Sequence, residues 1–420
     1  MDIVTLADQM WRGEITTAQH NPMTAGGGVC EIADGVAFLP SFGNCVALDT
    51  TEGLVLIDTG SMFTAKALHE SIRTWSAKPL NTAVFTHGHV DHVFGMKPFE
   101  DEARSNGWSA PQVVAHENVV ARFDRYIATS GYNEVINRRQ FALRELNWPT
   151  KFRYPDLTYR DELSLQIGDL QLELRHEKGE TDDATVTWLP QKKILCTGDL
   201  FIWTSPNAGN PQKVQRYPLE WARALRRMAE LKPEILLPGH GLPIIGADRI
   251  AQALDETATY LESLVEQVLT LMNAGARLSE VLSTVKPPAD LVKRPYLQPL
   301  YDEPEFIIHN IWRLYGGWWD GNPSTLQPAD ERSLAQEITE IAGGAAKVAA
   351  RAQELAAQGS DESLRLAGHL IEHAWLSDPF DKGIQEIRQE IYRLRASKAT
   401  STMSRGVFNW AVRESTGETL

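Results

Sequence analysis

Along the first 250 residues, short apolar runs alternate with longer stretches of helical spacing. Residues 53–58 form an apolar run closed by Thr59-Gly60, the pattern of a buried strand ending in a turn. Residues 82–85 repeat that pattern just before a cluster of histidines. Leu170, Leu172 and Leu174 alternate with polar residues, which predicts a half-buried strand over 170–176. Residues 184–189, 193–196 and 234–237 predict further strands, the last two running into Thr197-Gly198-Asp199 and Pro238-Gly239-His240. Helical spacing falls between them, over 62–76 and 219–231. This mixing predicts sheets covered by helices, an α/β class.

Beyond residue 250 the pattern changes to Ala-, Leu- and Glu-rich stretches at helical spacing. Helices are expected over 250–274, 330–358 and 372–396, with Pro379 as a boundary signal. The reading is an α/β domain over 1–250 and an all-helical domain over 251–420. The proline-containing stretch 286–304 is expected to bridge two parts of the helical domain.

Length agrees with this division, because 420 residues exceed one ordinary core. The formal net charge of -14 offers no basic footprint for a phosphate backbone, which argues against a nucleic-acid partner. Cys30, Cys45 and Cys196 are too few and too scattered for a disulfide framework or a thiolate metal site, and read as buried free thiols. No basic segment followed by an apolar run opens the chain, and no uncharged apolar stretch reaches the roughly 18 residues of a membrane span. A cytoplasmic protein without a membrane span is the expectation.

The chemistry concentrates in His87-x-His89-x-Asp91-His92, four donors directly after a predicted strand. Only 11 of 420 residues are histidine, so three within six positions point to a purpose. Converging imidazoles and carboxylates are what a divalent ion such as zinc requires. His87 and His89 can face the same way on an extended turn, while Asp91 and His92 stand where a helix is expected to start.

Thr86-His87-Gly88-His89-Val90-Asp91-His92 after a strand resembles the zinc motif of the metallo-β-lactamase superfamily, whose fold is an αββα sandwich. The resemblance implies that Asp58 orients the metal loop, that Asp199 bridges two metal ions, and that His240 is the last histidine ligand. Where the superfamily places a histidine after a glycine, this chain has Gly179-Glu180-Thr181-Asp182-Asp183. Either Glu180 replaces that histidine or His176 does; Gly179 and Thr181 keep the frame of the motif and favour Glu180. The implied set is His87, His89, Asp91, His92, Glu180, Asp199 and His240, holding two Zn2+ ions, with Asp91 and Asp199 as the candidate catalytic carboxylates. A carboxylate at Glu180 leaves the centre one charge less positive, so an anionic substrate needs help from nearby Arg or Lys.

Glu180, together with the helical second half, resembles the alkyl sulfatase branch of that superfamily. Its most specific match is the segment from Asn310 to Pro323, an aromatic-rich helix end stopped by glycines. The resemblance implies a homodimer made through the helical domain, a small anionic ester as substrate, and Arg138, Arg139 and Asn207 as substrate-binding residues. Two features depart from that branch: no counterpart of its sterol-carrier-like domain is expected, and no arginine-glycine pair follows Asn207. Lys213 and Arg216 are the cations nearest that gap in sequence. Tyr132, Asn133 and His309 are candidate general acids. The function implied is hydrolysis of alkyl sulfate esters by a metal-bridging hydroxide. The alternatives are hydrolysis of another ester, lactone or lactam on the same centre, and an iron-dependent oxidoreductase of the same fold.

Overall fold

Two sheets, built from thirteen strands among the described residues, form the core of the computed structural model, which describes residues 2–24 and 26–417. The first sheet contains β1 (Cys30–Ala33), β2 (Val36–Leu39), β3 (Cys45–Thr50), β4 (Gly53–Ile57), β5 (Leu80–Val84), β6 (Gln112–His116) and β7 (Leu157–Tyr159), side by side in that order. Pairing is antiparallel from β1 to β4 and parallel from β4 to β7. The second contains β8 (Glu162–Ile167), β9 (Leu170–Glu177), β10 (Ala184–Leu189), β11 (Ile194–Ile202), β12 (Ile235–His240) and β13 (Ile244–Ile245). It is antiparallel throughout except between β11 and β12.

Helices cover the sandwich because their apolar stripes have sheet faces to bury against. Leu68 and Ile72 of Ala65–Trp75, Phe99 of Met96–Asn106, and Val119 and Phe123 of Asn118–Ala128 share one buried cluster with Ala47, Leu54, Leu56 and Ala83 of the first sheet. On the second sheet, Pro218–Glu230 packs on β9 and β11, and Ala247–Asn273 packs on β12. Thr185 on β10 donates its amide to the Thr86 carbonyl after β5 at 2.6 Å, and Asn44 after β2 donates its amide to Gly239 on β12 at 2.8 Å. These bonds tie the two sheets together at the ends where the strands deliver their polar turns.

The chain forms two compact units. The first comprises the described residues of 1–130, 149–275 and 280–317, and the second those of 131–148, 276–279 and 318–420. In the second, Glu331–Ile341, Ala345–Gln358, Asp361–Ser377, Lys382–Lys398 and Thr402–Glu414 are helices. Asp330, Ser360, Asp381 and Ser401 each cap the start of a helix with a side-chain oxygen, satisfying backbone amides that have no helical partner. Alanines on Ala345–Gln358 and Asp361–Ser377 let those helices approach closely around Leu364, Ile371, Ile384 and Ile391. No helix among the described residues is long and apolar enough to cross a membrane.

Several expectations need correction. The continuous helix expected over 330–358 is broken at Gly343 and Gly344, whose φ values of +87° and +114° are incompatible with a right-handed helix. Asp91 and His92 lie in a turn, and the next helix starts only at Met96. The stretch 286–304 belongs mostly with the sandwich: the Gln298 carbonyl accepts the Ser205 amide at 2.9 Å and the Thr204 hydroxyl at 2.7 Å, just past β11. Cys45 and Cys196 are buried free thiols, whereas Cys30 is half-exposed.

Candidate metal centre

The residues that could hold metal ions come from strand ends and turns of the first unit. Asp58 follows β4 with φ near +60°, a left-handed conformation that costs a non-glycine residue energy. What holds it there is visible in its carboxylate. Oδ1 accepts the Thr86 amide at 2.7 Å, and Oδ2 accepts the Thr86 hydroxyl and His92 Nδ1, each at 2.7 Å. With its Nδ1 donating to Asp58, His92 presents Nε2 as a lone pair. His87 is oriented the same way by its Nδ1 contact to the Thr86 hydroxyl at 3.0 Å. His240 is turned by its Nδ1 bond to the Phe42 carbonyl, with the Phe42 ring edge-on at 5.0 Å.

Two clusters of ligand atoms result, one from His87, His89, Glu180 and Asp199, the other from Asp91, His92 and His240. His87 Nε2 and His89 Nδ1 stand 2.8 Å apart, and Glu180 Oε2 lies 3.9 Å from His89 Nδ1. In the second cluster Asp91 Oδ2 is 3.6 Å from His92 Nε2 and 3.4 Å from His240 Nε2. Asp199 faces both, with Oδ2 at 3.6 Å from His87 Nε2 and 3.2 Å from His240 Nε2, and Oδ1 at 3.4 Å from His92 Nε2. His92 Nε2, Glu180 Oε2 and Asp199 Oδ1 are buried without a hydrogen-bond partner. Polar atoms left this way are costly unless something else satisfies them, and a divalent ion fits this mixed imidazole and carboxylate set.

The charges match. Burial works against ionising Asp199, but His240, His92 and His87 around it hold its carboxyl well below the usual range. Burial pulls His240 down, yet Asp199 and Asp91 outweigh it and lift the imidazole to about 9. Burial, countered by Arg216 and reinforced by Asp199, pushes Glu180 up to about 8.

Of the two residues left open for the first cluster, Glu180 lies in it. His176 instead stacks on His116 with ring centroids 3.6 Å apart and meets the Ala184 carbonyl at 3.0 Å through Nδ1. Glu180 also changes the electrostatic picture. Its Oε1 accepts from both Arg216 and Asn207, and Glu180 and Arg216 are almost fully buried. The expected deficit of one positive charge is therefore made up by an arginine bonded to the carboxylate itself. Arg216, the nearest arginine in sequence after the missing arginine-glycine pair, is a built-in counter-charge to Glu180. Its backbone carbonyl accepts Asn310 Nδ2 at 3.0 Å, so the first residue of the aromatic-rich segment supports the loop that carries it. Asp302 supports the same loop by accepting the Gly209 amide at 2.6 Å.

Arg138 and Arg139 lie in the second unit, where their guanidinium groups stand over the Trp410 ring at 5.6 and 6.0 Å. Tyr132 is exposed and Asn133 buried in that unit; His309 is exposed in the first. Sequence reasoning missed Arg122 and Asp302, which bond to site segments from far along the chain and carry no local motif. Asp183 had one usable signal, its place in the Glu180-Thr181-Asp182-Asp183 turn.

Comparison with known proteins agrees with this geometry. The Metallo-beta-lactamase superfamily profile matches residues 39–240, and the alkyl sulfatase dimerisation profile matches residues 277–418. A linear primary-alkylsulfatase of a Pseudomonas strain is 26% identical over 366 residues, covering 82% of this chain and 69% of its own. An (R)-specific secondary-alkylsulfatase of Pseudomonas is 24% identical, covering 83% of this chain and 56% of its own. An alkyl/aryl-sulfatase of Saccharomyces cerevisiae is 23% identical, with 91% and 62% covered. The chain thus spans between 56% and 69% of the length of these three relatives. The solved structure of a stereoselective inverting sec-alkylsulfatase from Pseudomonas superposes with a TM-score of 0.83 at 21% identity, covering 93% of this chain and 66% of that one, and shares its fold.

Proposed function

Because the chain belongs to the metallo-beta-lactamase superfamily and carries an alkyl sulfatase dimerisation domain, we propose that it hydrolyses alkyl sulfate esters with two zinc ions. His87, His89 and Glu180 would hold one ion, Asp91, His92 and His240 the other, and Asp199 would reach both. The observation that carries this reading is the convergence of two ligand clusters on one shared carboxylate. A pair of divalent ions, when bound, supplies a nucleophilic hydroxide near pH 7 and withdraws negative charge from the reacting ester.

The chain's own residues do the rest. Asp58, Thr86 and the Phe42 carbonyl hold His92, His87 and His240 in the tautomers that offer Nε2. Asp91 and Asp199 are the carboxylates that face the second cluster, and Arg216 balances Glu180 so that the surroundings tolerate an anion. Asn207, bonded to Glu180 through Nδ2 and with its buried Oδ1 unpartnered, stands beside the centre as a substrate-binding residue. Lys213 adds positive charge there: burial and then Arg216 pull its ammonium down to about 8, while Asp91 and Glu180 favour the charged form.

Purified protein is expected to contain about two zinc ions per chain and to release inorganic sulfate from short and long alkyl sulfates. Zinc-loaded protein that releases no sulfate yet cleaves lactones or carboxyl esters would overturn the sulfatase reading. A single redox-active iron would overturn the hydrolase reading altogether.

A homodimer is part of the same proposal. The dimerisation domain and the exposed Ile341, Leu366 and Phe380 of the helical unit support it, since apolar groups left in water favour self-association. Light scattering is expected to give twice the chain mass at micromolar concentration; the single-chain mass would exclude the dimer.

A further inference from the structure

Apart from Asp199 on β11, the ligands of the first cluster come from two segments far apart in the chain, the turn after β5 and the turn between β9 and β10. We infer that Arg122 and Asp183, neither of which belongs to the ligand set, are positioning residues that lock these two turns together and set the affinity of that cluster alone.

Asp183 is fully buried three residues after Glu180. Its Oδ2 accepts the amide of Gly88 at 3.1 Å, and Gly88 is the residue between His87 and His89. One carboxylate therefore fixes the peptide that spaces two ligands while standing three residues along the chain from Glu180, which bears the third. Arg122, on helix Asn118–Ala128, is also buried and holds the arrangement from behind. Its Nε donates to Asp183 Oδ2 at 2.5 Å and its Nη2 to Asp182 Oδ1 at 2.5 Å. Asn118, one helical turn earlier, donates Nδ2 to the Asp182 carbonyl at 2.8 Å.

The space is filled as well as bonded. A Cβ on Gly88 would stand 2.8 Å from Arg122 Cδ, 3.2 Å from Asp183 Oδ2 and 3.2 Å from Phe123 Cε1, so the His-x-His turn is clamped between helix and carboxylate. A buried arginine paired with a buried aspartate resists separation, because either charge left alone is strongly destabilising. The second cluster is held by other means, Asp58 on His92 and the Phe42 carbonyl on His240. Asp58 reaches both halves, holding His92 directly and His87 through Thr86, whereas the clamp on Gly88 bears on the first cluster, so its loss is expected to weaken one ion and spare the other.

The inference rests on the dinuclear reading above, and zinc titration of the metal-free full chain against a chromogenic chelator tests both. The unaltered chain is expected to bind two ions. Asp183→Ala is expected to lower the affinity of one by about 10- to 100-fold, the range for lost supporting bonds, with the other unchanged. Asp183→Asn, which keeps an acceptor for the Gly88 amide, is expected to recover a large part of that loss. Should Asp183→Ala fail to fold, Arg122→Lys, which keeps the buried charge but not the two-armed contact, is expected to weaken the same single ion. Equal weakening of both ions, or no weakening in any variant that folds, would overturn the positioning role. Failure of the unaltered chain to bind two ions would instead overturn the dinuclear reading.

Discussion

Asp199→Ala is expected to lower kcat/KM by about 1,000-fold or more, the order seen when a main electrostatic contributor is removed from a hydrolytic site. Metal content is expected to fall from two ions to one or none. No other carboxylate among the described residues approaches histidines of both clusters, with contacts of 3.6 Å to His87, 3.4 Å to His92 and 3.2 Å to His240. The loss cannot come from proton competition at the imidazoles. Asp199 is among the charges that raise His92 and His240 above the ordinary histidine value, so its removal makes them easier to deprotonate. What disappears is the ligand itself. His176→Ala is the matching control: that ring stacks on His116 outside the clusters, so both ions and most of the activity should survive. Two retained ions with near-native turnover in Asp199→Ala would show that the clusters do not share this carboxylate. Loss of an ion in His176→Ala would reopen the choice of Glu180.

Such predictions can be framed from sequence because the strands that deliver ligands are short, apolar and closed by polar turns. Thr86 to His92 after β5, Asp199 within β11 and His240 at the end of β12 all follow apolar runs whose pattern survives in the fold. Residues 184–189 form a strand with the very bounds their pattern suggests, since an uninterrupted run buried on both faces has no other use in a sheet. Helical patterns carried less information. The spacing over 330–358 continues through Gly343 and Gly344, and only the backbone angles show the break. Asp91 and His92 looked like a helix start, but the turn that aims them leaves the helix to begin at Met96. Least legible were contacts between distant segments. Nothing near Arg122 or Asn310 in sequence signals that one braces the His-x-His turn or that the other holds the carbonyl of Arg216. Charged residues usually lie at the surface, so the burial of Arg216 follows only from Glu180 being buried beside it.

That pairing carries the second large expected effect. Arg216→Met keeps much of the side-chain volume but leaves Glu180 in the interior without its guanidinium. Where the pH is well above 8 and Glu180 is ionised, the metal-free variant is expected to lose about 3–5 kcal/mol in urea unfolding, the cost of breaking a buried ion pair by removing one partner. The pH dependence has a definite sign. Glu180 already sits above its ordinary value of 4.5, at about 8, because burial opposes ionisation more than Arg216 favours it. Removing Arg216 raises it further. A carboxyl raised on folding favours the folded state below its unfolded value and loses that contribution as pH rises through the folded one. Below about pH 8 the carboxyl keeps its proton in both proteins, so the deficit of the variant should be small near neutral pH and grow as the pH rises above 8. A proton on Glu180 also competes with the ion, so zinc affinity at neutral pH should fall and recover as the solution is made more alkaline. Glu180→Gln in the same chain removes the orphaned charge, and the double variant should regain most of the stability lost by Arg216→Met, a coupling that a double-mutant cycle reads directly. An Arg216→Met protein as stable as the original across this pH range, with no coupling to Glu180→Gln, would mean that the carboxylate is not balanced by this arginine. The substitution of glutamate for histidine in the first cluster would then have to be tolerated by the ion alone.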